Sequence, residues 1–197
     1  MRLTFAFLMI AGAAFGQSLL LDDFTTGHHT VSRKSGSLPD IHLAPLPPGS
    51  PAGPARYTRF TVSALPDYHQ WSTLDISDGF LIMDNGFGDI AGLNLIYGFN
   101  LDGTLSPLHL NLSGYDRFRI RFAGGGAFYS ITVYIADGRH FSTSGNTPAR
   151  NGPPFDFDIP FSAFTNFDFH DVQAIALGFE TTAGPFGIDK IEARFGN

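Results

Sequence analysis

The sequence predicts an all-β, two-sheet antiparallel sandwich, and three observations lead to that fold class. Apolar and polar residues alternate with a period of two in many segments, and no stretch keeps a 3.6-residue apolar stripe over the length of a helix. Glycine (23 residues) and phenylalanine (21) are abundant while lysine is rare, a balance that disfavours helices. Turn pairs such as Asp78-Gly79 and Asp137-Gly138 separate the alternating segments.

The predicted strands follow the chain in order. Their ranges are 19–24, 30–33, 56–63, 71–76, 80–83, 93–97, 108–112, 118–122, 131–135, 155–159, 172–179 and 186–195. Uneven connections between them favour the sandwich over a closed barrel. Two stretches rich in Pro and Gly, 37–55 and 142–154, are predicted as surface loops inside one domain.

The first residues have the pattern of a secretory signal. Arg2 precedes an apolar run that is too short to cross a bilayer, and Ala14-Phe15-Gly16 offers small residues for cleavage. We therefore predict a signal peptide over 1–16 and a mature domain over 17–197, exported and soluble, with no later membrane span. The chain has no cysteine, so a disulfide scaffold is excluded and the fold must rely on its core.

Charge and motifs limit the function classes. Removal of Arg2 leaves 11 basic against 18 acidic residues, a net charge of −7, which argues against a nucleic-acid partner. The sequence contains no G-x-S-x-G or H-E-x-x-H motif, and Glu180 and Glu192 are its only glutamates. We predict a protein that is not an enzyme. The alternative of a polysaccharide hydrolase or lyase stays open, since two catalytic carboxylates can come from distant strands.

One predicted strand provides the candidate ligand surface. Three basic residues share one of its faces: Arg117, Arg119 and Arg121. If the next strand pairs with it as a hairpin, Phe128 and Tyr134 join that face, where aromatic rings beside planar donors suit a sugar ring. The alternative is structural, because Asp156 and Asp158 on a later strand could form cross-strand ion pairs with the arginines.

Trp71 is a further candidate for ligand binding. It is the only tryptophan and lies beside Tyr68 and His69 at the start of a predicted strand. A tryptophan ring can anchor a sugar by stacking. The alternative is that it belongs to the core, which is also the simplest interpretation of the many phenylalanines.

Several short segments, in order, resemble a known group of proteins. They are LLLDDFTTG, LNLSGYDRFRIRF, FDIPFSAF, DVQAIALGFE and FGIDKIEA. The chain is similar to secreted bacterial β-sandwich proteins of the galactose-binding-like, jelly-roll type that serve as carbohydrate-binding modules. Many of these relatives carry a PEP-CTERM sorting tail, which this sequence lacks. The resemblance implies a jelly-roll sandwich and a carbohydrate ligand.

The resemblance also implies one structural calcium ion. In such modules the first and last strands lie side by side, and acidic residues from both can hold calcium with backbone carbonyls. The matching residues here are Asp22, Asp23 and Asp189. Because Ile188 and Ile191 are three residues apart, a β-bulge is expected at Asp189. The alternative is that these carboxylates are solvated residues at strand ends.

Together these observations predict a secreted, non-catalytic domain that binds carbohydrate or another extracellular ligand. An extracellular structural or matrix protein that contacts surface proteins is the alternative. The resemblance covers nearly the whole mature chain, but its short motifs bear on fold more than on function.

Overall fold

The computed structural model describes residues 16–64, 70–86, 88–125, 130–146, 152, 154–182 and 184–196. The predicted signal peptide, apart from Gly16, and Phe128 lie outside these ranges. The described residues form thirteen strands: β1 Gln17–Asp22, β2 His29–Lys34, β3 Asp40–Pro45, β4 Ala55–Ala64, β5 Trp71–Ser77, β6 Phe80–Asp84, β7 Asp89–Phe99, β8 Arg117–Gly125, β9 Ser130–Ala136, β10 Phe141–Asn146, β11 Phe155–Pro160, β12 Ala174–Thr181 and β13 Phe186–Phe195. A short 3-10 helix, Phe161–Ala163, follows β11.

The strands form two antiparallel sheets, which confirms the predicted fold class. The seven-stranded sheet has the order β11-β8-β13-β6-β5-β2, with β1 paired to β13, and the six-stranded sheet has the order β10-β9-β12-β7-β4-β3. The chain crosses between the sheets repeatedly, so β7, β8 and β9 belong alternately to the six-stranded, the seven-stranded and again the six-stranded sheet. Strands that are neighbours in sequence therefore often lie on opposite sides of the sandwich.

The core lies between the two sheets and follows the predicted alternation. In β9 and β12 every second residue is buried, and β7 follows the same rule over most of its length. Leu93, Leu95 and Phe122 are fully buried. The residues between the buried ones face outward, so each sheet has an exposed outer face that can present side chains to a ligand.

No helix in the described ranges is long and apolar enough to cross a membrane.

Three local predictions are confirmed. Asp78 and Gly79 both have positive φ angles, 52° and 83°, and join β5 to β6 as a tight hairpin turn. The first and last strands pair as expected. The register between β13 and β8 shifts between Ile188 and Lys190, which places the predicted bulge at Asp189.

Three other local predictions are wrong. The supposed loop 37–55 contains β3, and the supposed loop 142–154 begins with most of β10. Both are edge strands, where proline and short polar sequences are tolerated because one side of the strand needs no ladder. Residues 108–112 alternate but form no strand, because His109 has a φ of 51° and only Leu110 makes an isolated bridge.

Two stacked histidines join the edges of the two sheets. His29 on β2 and His42 on β3 have ring centroids 4.0 Å apart and planes inclined by 5°. His29 Nε2 lies 2.7 Å from Asp40 Oδ1, and Arg33 also binds that carboxylate. Burial lowers the pKa of His42, and electrostatic interaction with the neighbouring His29 lowers it further.

Because the pKa of His42 is lowered, we expect the folded protein to lose stability in mild acid. The unfolded chain binds a proton at His42 near the ordinary pKa of 6.5, whereas the folded chain resists it, so stability falls as the pH drops below about 7. We expect the melting temperature to fall less between pH 7.5 and 5.5 in His42→Gln than in the wild type. Carboxylates with lowered pKa values, such as Asp158, take up protons only at lower pH and so do not contribute to this change in stability. Equal slopes for the two proteins would contradict the prediction.

Candidate functional site

The three predicted arginines lie on β8 in the seven-stranded sheet, where carboxylates from neighbouring strands hold them. Arg119 binds Asp158 with both ends of its guanidinium, Nε to Oδ1 at 2.6 Å and Nη2 to Oδ2 at 2.7 Å. These hydrogen bonds raise the pKa of Arg119 and lower that of Asp158. Arg121 Nε lies 3.2 Å from Asp189 Oδ2, while Arg117 Nε lies 3.2 Å from Oδ1 of the adjacent Asp116 and 3.8 Å from Asp158 Oδ2. The structure thus shows the cross-strand ion pairs of the alternative interpretation.

The predicted hairpin, which would pair the strand of Tyr134 with the strand of the arginines, is wrong. Its strand, β9, belongs to the six-stranded sheet, while β8 pairs with β11 and β13 in the other sheet. Trp71 lies on β5 of the seven-stranded sheet, separated from β8 by β6 and β13. It is 58% exposed with Lys34 Nζ 5.0 Å from its ring, so its assignment to the core is also wrong. The structure therefore keeps the three arginines together on β8 but places Tyr134 and Trp71 away from them.

The three carboxylates predicted to hold calcium are not gathered at one point. Asp22 is buried and its Oδ2 accepts hydrogen bonds from Arg56 Nη1 and Tyr97 Oη, both at 2.9 Å. Asp23 binds the neighbouring Thr25, and Asp189 pairs with Arg121. Within the described ranges, no group of three or more His, Asp or Glu side chains is placed to hold a metal ion. A structural calcium ion stays a prediction.

The outer face of the six-stranded sheet carries an open groove of about 460 Å³. We call it the groove. Its lining residues come from four strands of the sheet: Tyr57, Arg59, Asn94, Ile96, Phe99, Tyr134 and Ala176.

The register explains how distant residues meet in the groove. One outward-facing row crosses the sheet from β10 to β3 in the order Thr143, Tyr134, Ala176, Ile96, Tyr57 and Leu43. Neighbouring strands lie about 4.8 Å apart, so Tyr134 and Tyr57 are three spacings, or about 14 Å, from each other. Ala176 lies next to Tyr134 in this row, and its small side chain leaves space above the sheet between the two tyrosines. The groove is thus long enough for several rings in a row.

Each tyrosine is supported by a second aromatic ring. Tyr134 stacks on Phe141 with centroids 5.5 Å apart and planes inclined by 23°. Tyr57 contacts Phe99 with centroids 5.7 Å apart and an inclination of 32°. Since a packed neighbour limits the rotation of each ring, both tyrosines offer fixed apolar surfaces.

The next row supplies polar groups beside the aromatic one. Its residues, from β10 to β3, are Gly145, Thr132, Gly178, Asn94, Arg59 and Ile41. A Cβ at Gly178 would lie 3.2 Å from Asn94 Oδ1, so glycine leaves room for that amide. The exposed guanidinium of Arg59 stands next to it in the same row. Apolar rings thus lie beside hydrogen-bonding groups. The same combination was predicted for the strand that carries Arg117, Arg119 and Arg121.

The groove residues were present in the predicted strands but were not recognised as a site. The run 56–63 places Tyr57 and Arg59 on its outward face, and the run 93–97 does the same for Asn94 and Ile96. Aromatic and polar residues at the outward positions of these runs are the signal in the sequence that points to this site. Among the predicted ligand residues, Tyr134 is the one that the structure places in the groove.

The fold and the groove define an antiparallel β-sandwich with an open, aromatic groove on the outer face of one sheet. No protein-family model and no curated protein matches this chain. Among solved structures, it is similar to a family 11 carbohydrate-binding module from Clostridium thermocellum in complex with a β-1,3-1,4-mixed-linked tetrasaccharide. That comparison has a TM-score of 0.43 and 13% identity, and covers 92% of this chain and 96% of the other.

Two further solved structures show comparable likeness. The family 11 module of a cellulosomal cellulase from the same organism has a TM-score of 0.44 and 10% identity, with 92% and 95% of the two chains covered. A family 29 carbohydrate-binding module from Piromyces equi has a TM-score of 0.36 and 10% identity, with 85% and 91% covered. These likenesses are too distant to transfer a ligand or a binding residue to this chain.

Proposed function

We propose that this protein is a secreted, non-catalytic carbohydrate-binding domain that holds a glycan chain in the groove. The observation that carries the proposal is the row with Tyr134 and Tyr57 about 14 Å apart, at strand spacing, across a floor formed by Ala176 and Ile96. The C–H face of a sugar packs on an aromatic ring, and two such rings suit an extended oligosaccharide better than a single sugar. Asn94 and Arg59 are placed to hydrogen-bond the hydroxyl groups.

The chemistry of the groove supports binding over hydrolysis. Glycoside hydrolysis commonly needs two carboxylic acids on either side of the scissile bond. The described residues that line the groove are aromatic, aliphatic, amide and guanidinium groups, and none is Asp or Glu. The secreted part of the proposal rests on the signal-peptide pattern of residues 1–16.

A bulky residue in the floor tests the proposal. We expect the mature domain to bind at least one oligosaccharide on a glycan array, and Ala176→Trp to abolish that binding because its side chain fills the space between the tyrosines. Calorimetric titration measures the affinity, and a melting curve checks the fold. Thr73→Trp, at an outward position of β5 in the other sheet, is the matched control and should bind normally. An empty array, or unchanged binding by folded Ala176→Trp, would overturn the proposal.

A second function, contact with a surface protein, is favoured by the opposite face. Phe80 and Ile82 are 42% and 44% exposed there, and they line an apolar hollow of about 370 Å³ with Ala123 and Pro185. Exposed apolar patches commonly mark sites of protein contact. Loss of cell-surface association in Ile82→Asp, with glycan binding intact, would support this function.

A further inference from the structure

Most of the basic residues that the structure describes are paired. Lys34 lies over the ring of Trp71. Seven other described basic residues have a carboxylate oxygen within 4 Å: Arg33, Arg56, Arg117, Arg119, Arg121, Lys190 and Arg194. Within the described ranges, Arg59 and Arg139 have no carboxylate this close. Arg139 lies at a loop pocket beside Asp137 and Asp168, so Arg59 stands apart among the described cations.

Among the described residues, no carboxylate oxygen lies within 4 Å of the Arg59 guanidinium. Its neighbours across the strands are Asn94 and Ile41, and its outward neighbours along β4 are Tyr57 and Thr61. On the same face, Glu180 is one row further and two strands away, or more than about 10 Å by strand spacing. The described part of the groove therefore presents one guanidinium without a close carboxylate, in the row beside the aromatic one.

We propose that the ligand of the groove is an acidic polysaccharide, whose uronic acid carboxylate pairs with Arg59. This inference rests on the proposed function and names its ligand class. A guanidinium offers parallel N–H donors in a fixed fork, which matches the two oxygens of a carboxylate better than single hydroxyl groups. While Arg59 holds the carboxylate, the Asn94 amide hydrogen-bonds the adjacent hydroxyls and the tyrosines stack on the sugar rings.

The test compares each sugar acid with the same sugar whose carboxylate has been esterified and so carries no charge. The probes are oligomers of galacturonate, mannuronate and glucuronate, each as the free acid and as its uncharged methyl ester. We expect at least one acid to bind about tenfold or more tighter than its ester, in line with hydrogen bonds to a charged group. The preference should shrink from 50 to 500 mM salt, because the guanidinium is exposed.

A pair of variants assigns the preference to one residue. Arg59→Gln should bind acid and ester equally, while Arg139→Gln, which removes another described arginine without a close carboxylate, should keep the wild-type preference. Equal binding of acid and ester by the wild type, or a preference that persists in folded Arg59→Gln, overturns the inference. A neutral glycan bound without any acid preference, and lost in Ala176→Trp, also overturns it but leaves the proposed function intact. No glycan binding at all ends both proposals.

Discussion

Arg56→Met is expected to lower the free energy of unfolding by about 3–5 kcal/mol, the range for breaking a buried ion pair from one side. The side chains of Arg56 and Asp22 are 0% and 2% exposed, and they join β4 of one sheet to β1 of the other. Methionine leaves the Asp22 carboxylate buried with Tyr97 as its remaining side-chain donor. Denaturant unfolding measures the loss.

Two comparisons separate the buried charge from a general effect of losing an arginine. Arg121→Met breaks an ion pair with Asp189 whose arginine is about half exposed, and should cost about 0–1 kcal/mol. Adding Asp22→Leu to Arg56→Met should recover part of the loss, because no unpaired charge then remains buried. If Arg56→Met costs no more than Arg121→Met, the pair does not hold the sheets together as described.

Arg56 also bears on the predicted calcium ion. Its Nη2 donates to the backbone carbonyls of Thr26 and Gly27, at 3.1 and 2.9 Å, while Nη1 binds Asp22. Carboxylate and carbonyl oxygens are the donors that calcium uses, so we propose that the guanidinium provides the structural cation here. The wild type should then unfold at the same denaturant concentration with and without a chelator. A lower midpoint in chelator, restored by calcium, would support the bound ion instead.

The fold was predictable because burial on one face leaves a period of two in the sequence. Leu93 and Leu95 on β7 show the period clearly, as do the alternating residues of β9 and β12. Edge strands carry less of this signal, because proline and polar residues are tolerated where one side of the strand is unpaired. For this reason the sequence of β3 and of most of β10 predicts loops rather than strands.

The site was not predictable from the same pattern, since it depends on which strands become neighbours. Tyr57 and Tyr134 meet in one row only because β7 and β12 pair between their strands, and sequence alternation contains no information on that order. The arginines of β8 illustrate the opposite error. Their shared face was correctly inferred, but the neighbouring strands bring Asp158 and Asp189 to them.

Tyr57→Ala and Tyr134→Ala are each expected to weaken glycan binding by about tenfold or more, if stacking of a sugar ring is comparable to that of a nucleobase, which is worth about 1–3 kcal/mol. The rings lie about 14 Å apart by strand spacing, so their effects should add as free energies. The double variant should therefore lose about a hundredfold or more. Calorimetric titration with an oligosaccharide that the wild type binds gives the three affinities.

Trp71→Ala is the control that locates the ligand, because it removes an exposed aromatic ring from the other sheet. It should bind like the wild type. If instead Trp71→Ala loses binding while both folded tyrosine variants keep it, the glycan lies on the seven-stranded sheet. A short oligosaccharide gives a second check, since a ligand that reaches only one tyrosine should be sensitive to one substitution and indifferent to the other. Sensitivity of a long ligand to both would then show that the chain runs across the strands along the row.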